Sequence, residues 1–326
     1  MRRPAASLGV LFASGLVIAG CGTSASDGDG TDAAQDASGS GSLAVGTTTM
    51  LGDVVGDIME CAGGTAETLM TIGADPHDFS ASSEQVASLV NADLVVANGL
   101  GLEEGIQDAL EGAEADGAIV MEVAPQVNPI EFAGGSSHAD EEGEEHSDEE
   151  GSMDPHFWQD VARMAEAAKM IGGELAQVTG DDAYAACGTE VHDTLKETDE
   201  QVREILSAVP PERRVLVTDH DALGYLAEAY DFEVAGVVIP GGSTLAEPSS
   251  QELTELVAVI EDEGVLAIFA NYANPTALVE AVAAETGDEV AVVELYTDSL
   301  GPEGSGAETY SGMVTTNAQR IADALS

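Results

Sequence analysis

The chain has 326 residues and a formal charge of −52, from nine Lys and Arg against 61 Asp and Glu. That balance excludes a nucleic-acid-binding role, because phosphate backbones are held by cationic side chains. It strains a compact state at low salt and suits a solvated surface at high salt, so salt adaptation is one reading of it and a general acidic bias the other.

Residues 1–20 read as an export signal. Arg2 and Arg3 supply the positive start, and Leu8 to Ile18 is an apolar run too short for a typical membrane span. The run ends Val17-Ile18-Ala19-Gly20-Cys21, the pattern of a bacterial-type lipobox. Under that reading Cys21 is the lipidated first residue of the mature chain; an ordinary signal peptide with an incidental Cys is the alternative. Residues 21–42 hold almost nothing to bury and are expected to be a flexible, lipid-anchored tether. The expected location is the outer face of the cell membrane. Outside the cytoplasm, Cys61 and Cys187 are expected to pair as a disulfide, with two buried thiols as the alternative.

From residue 43 onward short apolar strands alternate with helical stretches. Leu43-Ala44-Val45 opens a strand and 51–61 reads as a helix. Thr68 to Ile72 reads as a strand leading into Asp75-Pro76-His77. Ser82 to Asn91 is a helix, and Asp93 to Asn98 and Ala118 to Val123 are strands. This is the rhythm of a parallel sheet covered on both faces. Residues 134–152 interrupt it with an acid-rich stretch carrying His138 and His146. A helix is expected over 158–178 and broken at Gly180, followed by a long helix from Asp181 to about Ser207, stopped by Pro210-Pro211. The rhythm then restarts. Strands are expected at Val215 to Val217, Val234 to Ile239, Leu266 to Phe269 and Val290 to Leu295, with helices at 221–230, 249–263, 275–286 and about 307–325. The chain thus divides into an N-terminal α/β lobe (43–179), a linking helix (180–208) that reads as a rod, and a C-terminal α/β lobe (209–326).

The tripeptide Asp-Pro-His occurs twice, at 75–77 and 154–156, in a chain with six histidines. Asp bonds the backbone ahead of it and Pro fixes φ, so each copy is a stiff turn that aims an imidazole. In open parallel sheets, ligands bind beyond the carboxyl ends of strands. The titratable residues expected there are His77, His220 and Asp298, with His156 on a loop beside the first lobe. Three imidazoles and one carboxylate suit a four-coordinate site for a borderline cation such as zinc. The spacings of 79, 64 and 78 residues match no local metal motif, so joint placement carries the reading.

Over roughly residues 43–326 the chain resembles the zinc- and manganese-binding solute proteins of bacterial metal ABC importers. The motifs are Gly-Ala-Asp-Pro-His (73–77), Asp-Pro-His-Phe-Trp (154–158), Asp-His-Asp-Ala-Leu-Gly-Tyr (219–225), Ala-Glu-Pro-Ser (246–249) and Leu-Tyr-Thr-Asp-Ser-Leu-Gly (295–301), with Gly306 to Asn317 matching the closing helix. The resemblance implies two Rossmann-like lobes joined by one long helix, with the metal between them. It places the ligands on His77, His156, His220 and Asp298. Manganese-type members often carry Glu at the third position, so His220 points to Zn2+, with Mn2+ as the alternative. Zinc-type members also carry a His- and acid-rich loop; here His138 and His146 either pre-collect metal or are stray residues of a solvated loop. Residues 270–274 depart from the Glu-containing stretch found in many members, and Asp78-Phe79-Ser80 from the usual run after the first His. His192 matches no ligand position and reads as a surface residue.

The expected function is capture of Zn2+ outside the cytoplasm and delivery to a permease, by a protein that is not an enzyme. No Gly-Lys pair and hence no P-loop occurs, so the permease and its ATPase are expected to be separate chains and this one a monomer. The rival readings are an exported zinc hydrolase, which lacks a His-Glu-x-x-His motif here, and an adhesin.

Overall fold

The computed structural model describes residues 43–132, 153–286 and 290–326. The export signal, Cys21, the tether, His138 and His146 lie outside the described residues. None of the described helices is long and apolar enough to cross a membrane.

Two four-stranded sheets, parallel throughout, organise the chain. The first contains β1 (Leu43–Gly46), β2 (Thr65–Thr68), β3 (Leu94–Ala97) and β4 (Val120–Glu122) in the order β2-β1-β3-β4. The second contains β5 (Val215–Thr218), β6 (Glu233–Val237), β7 (Ala267–Asn271) and β8 (Ala291–Leu295) in the equivalent order β6-β5-β7-β8. The inner strands β3 and β7 are buried along their whole length, which is why they read as continuous apolar runs. The helices are α1 (Thr49–Ala62), α2 (Ser83–Asn91), α3 (Gln107–Ala115), α4 (Val161–Thr179), α5 (Ala183–Leu206), α6 (Gly224–Tyr230), α7 (Ser250–Glu263), α8 (Ala277–Glu285) and α9 (Tyr310–Leu325).

Local signals explain several boundaries. Ser82 and Ser249 each accept the backbone N–H three residues on, while Gln85 and Glu252 reach back, so α2 and α7 both begin with a capping box. Asp160 caps α4 by accepting from Ala162 and Arg163 N–H, so the helix starts three residues later than the sequence suggests.

Two expectations need correction. The edge strand before the first tripeptide is Thr65–Thr68, not Thr68 to Ile72. Its Thr-Ala-Glu-Thr sequence is mostly exposed and carries no apolar run. Leu69 and Met70 are apolar because they enter a core cluster with Leu89 and Ile106, and their N–H groups still bond the Gly46 and Thr47 carbonyls. His77 is therefore nine residues past the strand. Helix α3 was not expected; of its nine residues only Leu110 and Ala113 are buried, too few for a visible stripe. The long linking helix is present as α5. At 24 residues it is about 36 Å long, and it lies against α4, α1 and α9 along its length. Gly172 of α4 and Gly188 of α5 meet so closely that a Cβ on Gly172 would sit 2.7 Å from the Gly188 Cα. Cys61, at the end of α1, is disulfide-bonded to Cys187 of α5, with 5.8 Å between their Cα atoms.

The main core runs through both lobes: residues of β1, α1 and α4 share one apolar cluster with residues of β5, β7 and α9. Two smaller clusters fill the outer faces of the sheets. Cross-lobe hydrogen bonds add to this junction. Trp158 Nε1 and Gln159 Nε2 both donate to the Thr297 carbonyl (2.8 and 2.9 Å), Tyr225 Oη donates to the Asp154 carbonyl (2.8 Å), and Tyr310 Oη donates to the Trp158 carbonyl (2.6 Å). These bonds hold the loops that carry the site.

Candidate metal centre

Between the lobes, one donor atom from each of His77, His156, His220 and Asp298 comes within 4.8 Å of the other three. All four residues are buried, with exposures of 6, 0, 0 and 2 per cent. His77 borders a cavity of about 210 Å³ lined also by Leu102, Phe132, Met153 and Gly242. The Phe132 ring lies so close over Gly242 that a Cβ there would not fit.

Each tripeptide makes the turn that its residues dictate. Asp75 Oδ1 accepts the His77 backbone N–H (2.9 Å), and Asp154 Oδ1 accepts the His156 backbone N–H (2.8 Å). Asp154 Oδ1 also lies 2.8 Å from His156 Nδ1. A carboxylate there keeps the proton on Nδ1 and leaves the Nε2 lone pair facing the centre. The imidazole is walled by Trp158 and Phe132, at centroid distances of 5.2 and 6.4 Å. Asn98, at the tip of β3, donates to the Pro155 carbonyl (2.9 Å) and so fixes the second turn. Asn98 is itself set by the buried Glu103, whose carboxylate accepts from the Asn98 and Gly99 backbone and from Thr47 Oγ1.

The second lobe uses strand tips. His220 lies two residues past β5, and its Nδ1 is 3.2 Å from Asp219 Oδ1. Asp298 lies three residues past β8 and accepts from Asn271 Nδ2, at the end of β7, at 2.6 Å.

The donors pair at matching distances. His77 Nε2 and His156 Nε2 are 3.3 Å apart, and so are His220 Nε2 and Asp298 Oδ2. Donors bound tetrahedrally to one ion at about 2.0–2.1 Å stand about 3.3 Å from each other. Asp298 Oδ1 is buried and makes no hydrogen bond, and His220 Nε2 has only the Asp298 carboxylate, at 3.3 Å. Buried polar atoms normally find a full set of partners, so under-satisfied donors converging on one point fit a bound cation.

The two halves differ in charge. Burial, then the neighbouring imidazoles of His156 and His220, lowers His77 to about 3. Burial and His220 hold His156 well below its ordinary value. Burial pulls His220 down too, but the Asp298 and Asp219 carboxylates overcome it and raise it to about 10. Burial raises Asp298 to about 7 against the pull of His220. The first lobe therefore offers two neutral imidazoles, and the second a buried pair that retains a proton.

The structure brings all four sequence-derived candidates together. Asp219, Asn271, Asn98 and Glu103 were not singled out as supports. Asp219 was legible as the neighbour of His220, and Asn271 lies in the 270–274 departure; Asn98 and Glu103 carry no sequence signal of their own. His192, expected at the surface, is half-buried, with Glu166 and Asp193 at 3.3 and 2.9 Å.

Residues 45–324 match the family model described as zinc-uptake complex component A, periplasmic. This chain belongs to that family, the metal-binding components of ABC importers. Similar proteins include the zinc-binding protein TroA of Treponema pallidum, 32% identical over 87% of this chain and 88% of that one. The manganese-binding lipoprotein MntA of Bacillus subtilis is 30% identical over 97% of both chains, and that of Halalkalibacterium halodurans is 28% identical, also over 97% of both. The solved periplasmic zinc-binding TroA structure superposes with a TM-score of 0.75, covering 88% of this chain and 99% of that one.

Proposed function

We propose that this protein captures Zn2+ outside the cytoplasm and delivers it to the permease of an ABC importer whose ATPase is a further chain. The supporting observation is the buried set of three imidazoles and one carboxylate, with both donor pairs spaced 3.3 Å apart. His77, His156, His220 and Asp298 are the assigned ligands. Three nitrogens to one oxygen favours zinc over manganese, which prefers oxygen. Four protein ligands also close the site to a catalytic water, so capture rather than hydrolysis is the reading. The relatives named for manganese support a second reading, Mn2+ capture at the same four residues. Cys21 is assigned as the lipid anchor that keeps the protein at the outer face of the cell membrane, and His138 and His146 as an accessory metal-collecting loop.

Elemental analysis of purified protein, with competitive titration by zinc and manganese, tests the proposal. One equivalent of zinc, retained against excess manganese, is the expected result. Tighter binding of manganese would replace it with the second reading.

A further inference from the structure

Besides Asp298, the Asp75, Asp154 and Asp219 carboxylates are each held by hydrogen bonds beside the four donors. Asp75 accepts from the His77 backbone and from Thr244 Oγ1 (2.9 and 2.5 Å). Asp154 holds His156 through its Oδ1. Asp219 Oδ2 accepts the Asn271 backbone N–H (3.1 Å), while its Oδ1 faces His220 Nδ1 (3.2 Å). Asn271 is buried, 1 per cent exposed, and its amide has a determined orientation. Oδ1 accepts the Ala273 N–H at 3.1 Å, so Nδ2 faces Asp298 Oδ2 at 2.6 Å. One residue at the end of β7 therefore grips Asp298 with its side chain and, through Asp219, His220 with its backbone.

We infer that Asn271 is a positioning residue that sets the metal preference of the site. It fixes the spacing of the second lobe's two donors and, being uncharged, leaves the cargo facing one carboxylate against three imidazoles. The inference rests on the zinc reading above. Asp at 271 would keep the size but replace the amide donor with a second carboxylate against Asp298. Two such groups in contact repel unless a proton or cation lies between them. The cation would then meet another oxygen donor, and oxygen-rich sets favour manganese.

The test uses Asn271→Asp in competitive zinc and manganese titrations, with Co2+ as a visible-absorption probe of coordination number. The zinc-to-manganese affinity ratio is expected to fall at least tenfold. The intense absorption of four-coordinate Co2+ is expected to weaken as a fifth donor enters. Asn271→Ser, which removes the amide without adding charge, is expected to lose about ten- to a hundredfold in zinc affinity. An unchanged ratio and Co2+ spectrum in Asn271→Asp would overturn the inference while leaving zinc capture intact. Should that variant not fold, unchanged zinc affinity in Asn271→Ser overturns it instead. Wild-type protein that binds no zinc would remove the functional reading first, and this inference with it.

Discussion

The two lobes share one sheet order but make opposite halves of the site. In the first, His77 and His156 sit on turns remote from their strands, fixed by Asp75 and Asp154, and burial keeps both imidazoles neutral. In the second, His220 and Asp298 sit on or near strand tips, and each holds the other in a proton-retaining pair. The first half is ready for a cation as it stands, whereas the second must give up its proton. A fold can thus present a buried four-donor site in which the carboxylate among the donors is compensated by a retained proton.

Removing a donor from either half should have the largest effect. His156→Ala and His220→Ala are each expected to lose more than the roughly hundredfold typical of an outer partner, measured as zinc affinity by competition with a chelator. Asp154→Asn and Asp219→Asn come next, at about ten- to a hundredfold each, because each carboxylate orients an imidazole through Nδ1.

Proton release separates the halves more finely. Between about pH 7 and about 10 the His220–Asp298 pair holds one proton that a bound cation must displace. Affinity is therefore expected to rise about tenfold per pH unit there, and to fall more steeply as pH drops below about 7, where Asp298 and the buried Asp154 beside His156 both take up protons. Calorimetry in buffers of different ionisation enthalpy reads the count directly. His77→Ala should leave the number of released protons unchanged, since His77 is already neutral; a lower count would erase the contrast between the lobes.

The Cys61–Cys187 bridge should matter least to the site. It closes a separation of 126 residues that includes His77 and His156, but the bridged cysteines sit on α1 and α5 rather than on the turns that carry those donors. Cys61→Ser with Cys187→Ser is expected to lower stability by about 2–5 kcal/mol in denaturant unfolding, with zinc affinity in the folded protein unaltered.

The two-lobe rhythm and the first two histidines were legible because both rest on local chemistry: apolar runs for doubly covered strands, and stiff Asp-Pro turns ahead of His77 and His156; His220 and Asp298 were legible only from their places after strands and from the family resemblance. The polar edge strand β2 was misplaced because its pairing partner, not its own composition, makes it a strand. Helix α3 escaped notice because it buries so little. The grip of Asn271 on Asp298 and Asp219 spans 27 and 52 residues and arises when β7 is laid between β5 and β8, which no spacing along the chain encodes.

Diffraction from zinc-loaded crystals at the zinc absorption edge bears most directly on the central claim that the two halves close on one ion. A single anomalous peak between the lobes is expected, within about 2.0–2.2 Å of a nitrogen from each of His77, His156 and His220 and an oxygen of Asp298. A peak elsewhere, or one bound by only one lobe, would contradict it.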